Sequence, residues 1–262
     1  MRVTVDGSSM FVAARGHGPV VVFVHGFPLN HRIFDTQIRT LSRTYRVLAP
    51  DLRGFGKTPF TGSNVTIDTY AEDIVRLLDV LEIERAVLAG LSMGGYILFA
   101  FWRRYPERVR GLVLLNTRAG ADTEVARAQR FETIQKVRQQ GLGPLIDDMV
   151  PKLLSPVTRR GKPHVVRKLT DIMRGASVEG VTAALQAMAH RPDSRPLLES
   201  INVPTLIIAG RDDAVVPVGE AEEMALAIPR ARLHVIDQAG HLAPMERPRT
   251  TSRLIQMFLS EL

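Results

Sequence analysis

The segment AVLAGLSMGGYILFAFWRRY (Ala86–Tyr105) decides how the rest of the chain is interpreted. The apolar run Ala86–Leu91 is typical of a buried β-strand, and the apolar spacing over Met93–Tyr105 predicts a helix. Between them lies a G-x-S-x-G motif, Gly90–Gly94, in a strand–turn–helix context. That context predicts that Ser92 lies at the tip of a sharp turn with its hydroxyl available as a nucleophile.

The glycines around Ser92 have a steric explanation. A turn this sharp strains the backbone of the serine, and side chains two residues away on either side would collide. Gly90 and Gly94 avoid that collision, while Gly95 lets the helix pack closely on the sheet. The alternative is an ordinary strand–loop–helix junction in which Ser92 only caps the helix.

On both sides of this segment, short β-type runs alternate with helical patterns. This alternation predicts an α/β fold with a mostly parallel sheet flanked by helices. The predicted strands are Arg2–Asp6, Met10–Arg15, Val20–His25, Tyr45–Ala49, Ala86–Leu91, Val109–Asn116, Pro204–Ala209 and Ala231–Ile236. The helices predicted between and after them are Asn30–Leu41, Thr66–Leu81, Met93–Tyr105, Glu220–Ala227 and Arg249–Leu262.

Residues 117–196 contain helical patterns and no convincing strand. The patterns cover Glu124–Gln140, Leu142–Leu153, His164–Arg174 and Val178–Ala189. About eighty residues are too many for one crossover. We therefore predict an inserted helical cap at 117–196 and a core formed by 1–116 and 197–262. The alternative is that these helices are ordinary crossover helices of the sheet.

Two adjacent aspartates, Asp212 and Asp213, follow the strand Pro204–Ala209. A carboxylate at the carboxyl end of a parallel strand points into the crevice where such sheets bind ligands. We predict that Asp213 is the catalytic acid and that Asp212 stabilises the turn. The alternative is that both residues only form the turn.

His241 follows the strand Ala231–Ile236, again at a carboxyl end. An unperturbed imidazole has a pKa near 6.5, so it can accept and return a proton near neutral pH. A buried carboxylate such as Asp213 would fix its tautomer and stabilise the imidazolium. The chain order Ser92, Asp213, His241 is the order that this architecture uses for a catalytic triad.

The loop after Val20–His25 is predicted to contribute to an oxyanion hole, formed by the backbone N–H groups of Phe27 and Met93. His25 is predicted to shape this loop by hydrogen bonding and to lie at the substrate-binding region. Four further residues are candidates for an apolar acyl pocket between core and cap because of their side-chain types, namely Leu29, Met149, Leu153 and Met188. The alternative is that they pack only in the core or the cap.

The composition is that of a globular protein, with 262 residues, 45% hydrophobic and 23% charged. There is no cysteine, so disulfides and thiolate metal sites are excluded. No apolar run is long enough to cross a membrane and no secretory signal is visible, which predicts a cytoplasmic protein without a membrane partner. No metal site and no cofactor are predicted.

The formal net charge of +7 comes mainly from arginines that are scattered rather than clustered. No nucleic-acid-binding motif accompanies them, so we predict an arginine-rich surface and no nucleic-acid partner, with mild steering of anionic substrates as the alternative. The expected partner is a small-molecule ester, and both a monomer and a homo-oligomer stay open.

With these residues in place, the chain resembles the α/β-hydrolase superfamily over essentially its full length. The resemblance rests on VVFVHGFP (Val21–Pro28), APDLRGFGKT (Ala49–Thr58), GLSMGGY (Gly90–Tyr96), GRDDAVVP (Gly210–Pro217) and AGHLAPMERP (Ala239–Pro248). It is most similar to cap-bearing bacterial carboxylesterases, and also to 3-oxoadipate enol-lactonases and cofactor-free haloperoxidase-type esterases. The resemblance implies an eight-stranded sheet, ester hydrolysis through an acyl-enzyme and no cofactor.

By that resemblance Ser92, Asp213 and His241 fill the triad positions. Haloalkane dehalogenases and epoxide hydrolases have an aspartate where this chain has Ser92, and Asn116 stands at an alternative acid position where it cannot ionise. We predict hydrolysis of carboxylic esters with small to medium acyl chains. The alternatives are lactone or enol-lactone hydrolysis, perhydrolase side activity, and a non-catalytic ligand receptor.

Overall fold

The computed structural model describes residues 1–5 and 7–262. Its eight strands form one sheet in the order β1-β2-β4-β3-β5-β6-β7-β8. The pairs β1–β2 and β2–β4 are antiparallel and all other pairs are parallel. The strands are β1 (Arg2–Val5), β2 (Ser8–Arg15), β3 (Val20–Val24), β4 (Arg46–Pro50), β5 (Ala86–Leu91), β6 (Val109–Leu115), β7 (Thr205–Gly210) and β8 (Ala231–Ile236).

This sheet confirms the predicted α/β-hydrolase fold with its mostly parallel, eight-stranded sheet. Each predicted strand corresponds to an observed one, and the described strand ends differ from the predicted ones by at most two residues. Asp6, the last residue of the predicted first strand, lies outside the described residues.

Helices cover both faces of the sheet. They are α1 (Asp35–Leu41), α2 (Ile67–Val80), α3 (Met93–Arg104), α4 (Glu124–Gln140), α5 (Gly143–Leu153), α6 (Pro156–Gly161), α7 (Pro163–Arg174), α8 (Val178–Ala189), α9 (Val218–Ala227), α10 (Ala243–Glu246) and α11 (Pro248–Leu259). The sequence did not predict α6 and α10, because four to six residues are too few to show helical periodicity. The predicted helix over Asn30–Leu41 is a 3-10 turn at His31–Phe34 followed by α1.

The alternation of side chains along the strands divides the hydrophobic core into two clusters. On β3, Val22 and Val24 pack in one cluster with α2 and α3, whereas Val21 and Phe23 pack in the other with α1 and α11. The central strands are buried on both faces for this reason, which explains their continuous apolar sequences. The edge strands β1 and β8 alternate instead, and β8 exposes Arg232 and His234 to solvent.

The helices α4–α8 all lie between β6 and β7, and residues 117–196 contain no strand. Their apolar faces join both core clusters. Ile134 of α4 and Leu185 of α8 pack in the cluster of α2 and α3, while Leu153 of α5 and Ile172 of α7 pack in the other. The division of the chain into core and cap at 117 and 196 stays a prediction. Within residues 1–5 and 7–262, no helix has the length and apolar character needed to cross a bilayer.

Candidate active site

Ser92 lies between the end of β5 and the start of α3, in a backbone conformation that L-residues rarely adopt. Its φ is 53° and its ψ is −114°. Three hydrogen bonds hold its backbone. Its N–H donates to the Leu115 carbonyl at 2.9 Å, and its own carbonyl accepts from Thr117 Oγ1 at 2.8 Å and from the Gly95 N–H at 2.8 Å. Strain of this kind persists only where the surroundings enforce it, and it clusters at functional sites.

The glycines next to Ser92 are required by close backbone packing, as the sequence predicted. A Cβ atom added at Gly90 would lie 2.6 Å from the backbone of Gly94. One added at Gly94 would overlap the carbonyl oxygen of Val24 in β3, and one added at Gly95 would overlap the side chain of Thr117. The turn therefore fits between β3 and β6 only without side chains at these positions.

His241 and Asp213 form a buried hydrogen-bonded pair. His241 Nδ1 lies 2.8 Å from Asp213 Oδ2, and the side chains are 3% and 1% exposed. An ionised carboxylate only accepts hydrogen bonds, so Nδ1 carries the proton and Nε2 is left as the basic nitrogen. Asp212 is exposed and its N–H donates to the Ala239 carbonyl at 2.8 Å, so Asp213 is the aspartate that contacts the histidine.

The Asp213 carboxylate is held in its charged form. Burial alone would raise its pKa, but the charge of His241 and the hydrogen bonds that Asp213 accepts outweigh burial, and its pKa lies below the ordinary value of 3.8. Two of those bonds come from the backbone N–H groups of Val215 at 2.8 Å and Val216 at 2.9 Å, both to Oδ1. A charged Asp213 can therefore stabilise an imidazolium at His241.

Asn116, at the end of β6, takes part in this pair although it cannot ionise. Its Nδ2 donates to Asp213 Oδ2 at 2.9 Å and to the Gly240 carbonyl at 3.2 Å. Its φ of 45° lies in the left-handed region, which asparagine tolerates better than most residues. The sequence excluded Asn116 as the acid but missed its contact with the acid.

The sheet topology brings these residues together. Because β3, β5, β6, β7 and β8 are successive neighbours, the loops at their carboxyl ends lie side by side. A Cβ added at Gly26, after β3, would lie 3.1 Å from the Ser92 Cβ. On the other side of Ser92, Asn116 contacts Asp213 and Asp213 contacts His241. The predicted triad residues thus share one edge of the sheet.

His25 has no exposed surface and no free ring nitrogen. Its Nε2 accepts from the Leu52 N–H at 3.0 Å and its Nδ1 donates to the Gly26 carbonyl at 2.8 Å. Burial lowers the pKa of His25 to about 4, against the opposing charge of Asp51, so the ring is neutral near pH 7. These contacts agree with the predicted loop-shaping role. They contradict the prediction that His25 binds substrate.

The two residues predicted to supply the oxyanion hole, Phe27 and Met93, follow the neighbouring strands β3 and β5. Met93 begins α3, so its N–H belongs to the first turn and has no partner within the helix. Phe27 lies in the loop after β3, with its ring edge-on to Phe55 at a centroid distance of 6.3 Å. An oxyanion between these two groups would also face the positive end of the α3 dipole.

The four candidates for an acyl pocket are apolar residues that pack among the helices. Leu29, Leu153 and Met188 are buried in the hydrophobic clusters, and Met149 is half-buried between the two clusters. Their contact with an acyl chain stays a prediction. The backbone of Leu153 has a role that the sequence did not indicate, because its carbonyl accepts from the N–H of His241 at 3.0 Å.

Glu246 is a further residue of the site that the sequence analysis missed. Its carboxylate is fully buried and accepts hydrogen bonds from the backbone N–H groups of Gly240 and Ser155. An acidic residue in the otherwise apolar stretch after His241 was the available signal. Within residues 1–5 and 7–262, no group of three or more His, Asp and Glu side chains could hold a metal ion.

Residues 19–248 match the family model described as alpha/beta hydrolase fold. The chain belongs to this family. A thermophilic esterase from Thermogutta terrifontis superposes with a TM-score of 0.96 at 38% identity, covering 100% of this chain and 98% of that one. Among curated sequences, 3-oxoadipate enol-lactonase 2 of Acinetobacter baylyi is 30% identical over 91% of this chain and 87% of its own length.

A third relative, 2-hydroxymuconate semialdehyde hydrolase from Pseudomonas sp. strain CF600, is 32% identical over 84% of this chain and 78% of its own length. The three relatives are named for different substrates. The family and these relatives confirm the resemblance and support hydrolase activity for this chain, without specifying its substrate.

Proposed function

We propose that this protein is a serine hydrolase that cleaves carboxylic esters with small to medium acyl chains, using Ser92, Asp213 and His241. The observation that carries the proposal is the 2.8 Å hydrogen bond between His241 and Asp213 at the sheet edge that also holds the strained Ser92. The same three residue types, in the same chain order, define the triad of α/β-hydrolases. The similarity to an esterase over the whole chain supports the same reaction.

In the first half of the reaction, Ser92 Oγ attacks the ester carbonyl carbon while His241 Nε2 takes the hydroxyl proton. The backbone N–H groups of Phe27 and Met93 donate to the resulting oxyanion. Each such donor contributes about 3–4 kcal/mol to transition-state stabilisation in serine hydrolases. His241 then returns the proton to the alcohol as the C–O bond breaks, leaving an acyl group on Ser92.

In the second half, a water molecule attacks the acyl carbon, and His241 takes a proton from it. The proton returns to Ser92 as the acyl–oxygen bond breaks and the acid leaves. Throughout, the charged Asp213 keeps Nδ1 protonated, so that Nε2 always faces the reaction. No redox step or electron acceptor is needed for either half.

The acyl group is proposed to lie between the core, residues 1–116 and 197–262, and the helical segment 117–196. The apolar side chains of Leu29, Met149, Leu153 and Met188 are available on both sides of that boundary. A pocket lined by such residues favours an aliphatic acyl chain over a charged one.

A second candidate is the opening of a lactone or enol-lactone. It is favoured by the similarity to 3-oxoadipate enol-lactonase 2 and, at 27% identity and a TM-score of 0.92, to the enol-lactonase of Burkholderia xenovorans LB400. The same serine, histidine and aspartate would serve, because a lactone is a cyclic ester. The difference would lie only in the residues that contact the rest of the substrate.

One set of rates separates the two candidates. Hydrolysis of p-nitrophenyl acetate, butyrate, octanoate and laurate is compared with that of a five-membered lactone and an enol-lactone. Ester hydrolysis predicts that kcat/KM is highest for a short or medium linear ester. If a lactone were the better substrate by tenfold or more, the second candidate would replace the first.

Replacing Ser92 tests the nucleophile itself. Ser92→Ala should reduce kcat for p-nitrophenyl butyrate by about 10⁴-fold or more, because the remaining groups cannot form an acyl-enzyme. The control is Ser260→Ala, at an exposed serine beyond α11, which should keep wild-type kcat. Full activity of Ser92→Ala, with its fold intact by circular dichroism, would contradict the proposal.

A further inference from the structure

Glu246 is a buried carboxylate that the proposed chemistry does not use. It lies at the end of α10, on the segment that follows His241, and it has no exposed surface. Burying a charge is unfavourable unless hydrogen bonds compensate for the lost hydration. The contacts of its two oxygens therefore indicate what the carboxylate holds in place.

Each carboxylate oxygen of Glu246 accepts from a different part of the chain. Oε1 accepts from the Gly240 N–H at 2.7 Å, next to His241. Oε2 accepts from the Ser155 N–H at 2.8 Å, in the junction between α5 and α6. The backbone carbonyl of Glu246 also accepts from Lys162 Nζ at 2.7 Å, at the end of α6. Glu246 therefore bridges the loop of His241 and the junction Leu153–Ser155.

Other contacts join the same two segments, the loop of His241 and the junction Leu153–Ser155. The N–H of His241 donates to the Leu153 carbonyl at 3.0 Å, and Ser155 Oγ donates to the Gln238 carbonyl at 3.2 Å. The two backbones are so close that a Cβ added at Gly240 would lie 2.6 Å from the Ser155 nitrogen. The backbone position of His241 is thus fixed by the junction from one side, while Asp213 fixes its ring from the other.

A carboxylate suits this position better than any other side chain. Both of its oxygens accept hydrogen bonds, so it satisfies two backbone N–H donors that face it. Glutamine would turn an NH₂ group toward one of those donors. Alanine would leave both N–H groups buried without a partner.

We propose that Glu246 is a positioning residue for His241, through which the junction Leu153–Ser155 of the inserted helices holds the imidazole against Asp213. This inference rests on the proposed function, in which His241 is the base. Misplacing a catalytic group by about 1 Å can cost about a hundredfold in rate. A loss of the Glu246 bridge should therefore lower kcat more than it raises KM.

The test uses the full chain and two ways of breaking the bridge. Glu246→Gln replaces one of the two accepting oxygens by an NH₂ group, and Ser155→Pro removes the N–H that donates to Glu246. The backbone at position 155 allows proline because φ there is −59° and the preceding Leu154 is extended, and the ring would displace the Glu246 carboxylate from the junction. Ser155→Ala is the matched control, since it removes the hydroxyl contacts but keeps the N–H bond to Glu246.

A second control, Asp73→Asn, accounts for general destabilisation. Asp73 is a buried carboxylate on α2 whose Oδ2 accepts from Arg53 Nε at 2.7 Å, far in sequence from the histidine loop. Its replacement removes a buried charged partner without touching His241. It should lower the melting temperature and leave kcat unchanged.

Two readouts are measured on all four variants. The first is the split between kcat and KM for p-nitrophenyl butyrate. The second is the low-field proton resonance of His241 Nδ1–H, which reports its hydrogen bond to Asp213 without any substrate. We expect Glu246→Gln and Ser155→Pro to lower kcat by about ten- to a hundredfold with KM nearly unchanged, and to broaden or shift the resonance. Asp73→Asn should change neither, and Ser155→Ala should lower kcat less than Ser155→Pro does, because it loses the hydroxyl bond to Gln238 but keeps the N–H bond to Glu246.

The result that would overturn the inference is a wild-type kcat and a wild-type resonance in Glu246→Gln and Ser155→Pro, with only a lower melting temperature. If Glu246→Gln failed to fold, Ser155→Pro would decide between the two outcomes by itself. The resonance also separates this inference from the proposed function. An enzyme inactive on esters would defeat the proposed function, while the resonance would still show whether Glu246 positions His241.

Discussion

Ser92 and His241 stand at one edge of the sheet but are held there by different means. Ser92 is fixed by main chain, since Gly90 and Gly94 let the turn pack against itself and against β3 with no side chain between. His241 is fixed by polar groups from remote segments, among them Asp213 and the Leu153 carbonyl. The position of the nucleophile therefore depends on close backbone packing, and the position of the base depends on a network of hydrogen bonds.

This difference has consequences for substitution. The turn at Ser92 is in close contact with neighbouring backbone and has no room for an added atom. Substitutions near Ser92 should therefore affect folding as well as activity. A hydrogen-bond network can lose one member and keep its shape, so changes near His241 should affect activity more than folding. Substitutions on the two sides of the site test that contrast.

The largest effect is expected at the acid of the network. Asp213→Asn should reduce kcat by about 10³- to 10⁴-fold, because a neutral amide can favour the wrong histidine tautomer and cannot stabilise the imidazolium. Asp212→Asn is the matched control at the neighbouring, exposed aspartate, and it should keep kcat within about twofold. Steady-state kinetics on p-nitrophenyl butyrate gives both values. An equal loss of kcat in the two variants would show that the hydrogen bond between Asp213 and His241 is not what supports catalysis.

On the serine side, Gly94→Ala should destabilise the protein by about 3 kcal/mol or more. The new Cβ would overlap the Val24 carbonyl, a backbone atom in a central strand that cannot move aside. The control is Gly219→Ala in α9, where an added Cβ meets nothing within 4 Å. This substitution should stabilise the protein by up to about 1 kcal/mol. Urea unfolding measures both. A Gly94→Ala protein as stable as the wild type would contradict the packing explanation.

A smaller and pH-dependent effect is expected at Asn116. Asn116→Asp keeps a residue that tolerates the left-handed backbone, but it places a second carboxyl group against Asp213. Two carboxylates at that distance cannot both ionise easily, so the pair retains one proton up to a higher pH than Asp213 alone. While protonated, the new group can donate to Asp213 as the amide does.

The activity of Asn116→Asp relative to wild type should therefore be higher at pH 6 than at pH 9. We expect a loss of about tenfold, or 1.4 kcal/mol, at the alkaline end. A pH profile of kcat for both proteins checks this, with Asn202→Asp, in the connection before β7, as the control substitution. A constant ratio across pH would show that Asn116 does not influence the ionisation of Asp213.

The two regions also differ in how far the sequence predicts them. The turn at Ser92 was predicted in detail because its causes are local, with the strand, the glycines and the helix adjacent in the chain. The succession of strands and helices along the chain, and therefore the loops at the strand ends, follows from alternating patterns, whereas the order of the strands within the sheet does not. The central strands are recognisable in the sequence because a buried parallel strand has a continuous apolar sequence.

The network at His241 was predicted only in part, because its members come from remote segments. The sequence predicts Asp213 as the acid and Asp212 as a residue that stabilises the turn. Nothing local shows that Asn116 donates to Asp213 or that Glu246 accepts from Ser155, since those contacts exist only after the sheet and the inserted helices have packed. His25 illustrates the same limit, because its position after β3 suggests access to substrate, whereas its ring is fully buried and bonded to the Leu52 N–H and the Gly26 carbonyl.

The most direct test of the proposed triad is to identify the residue that a fluorophosphonate probe labels. The intact mass gives the number of adducts, and peptide mapping gives the labelled residue. We expect one adduct, on Ser92, and labelling slowed by orders of magnitude in His241→Ala. An adduct on another residue, or labelling of His241→Ala at the wild-type rate, would contradict the claim that His241 activates Ser92.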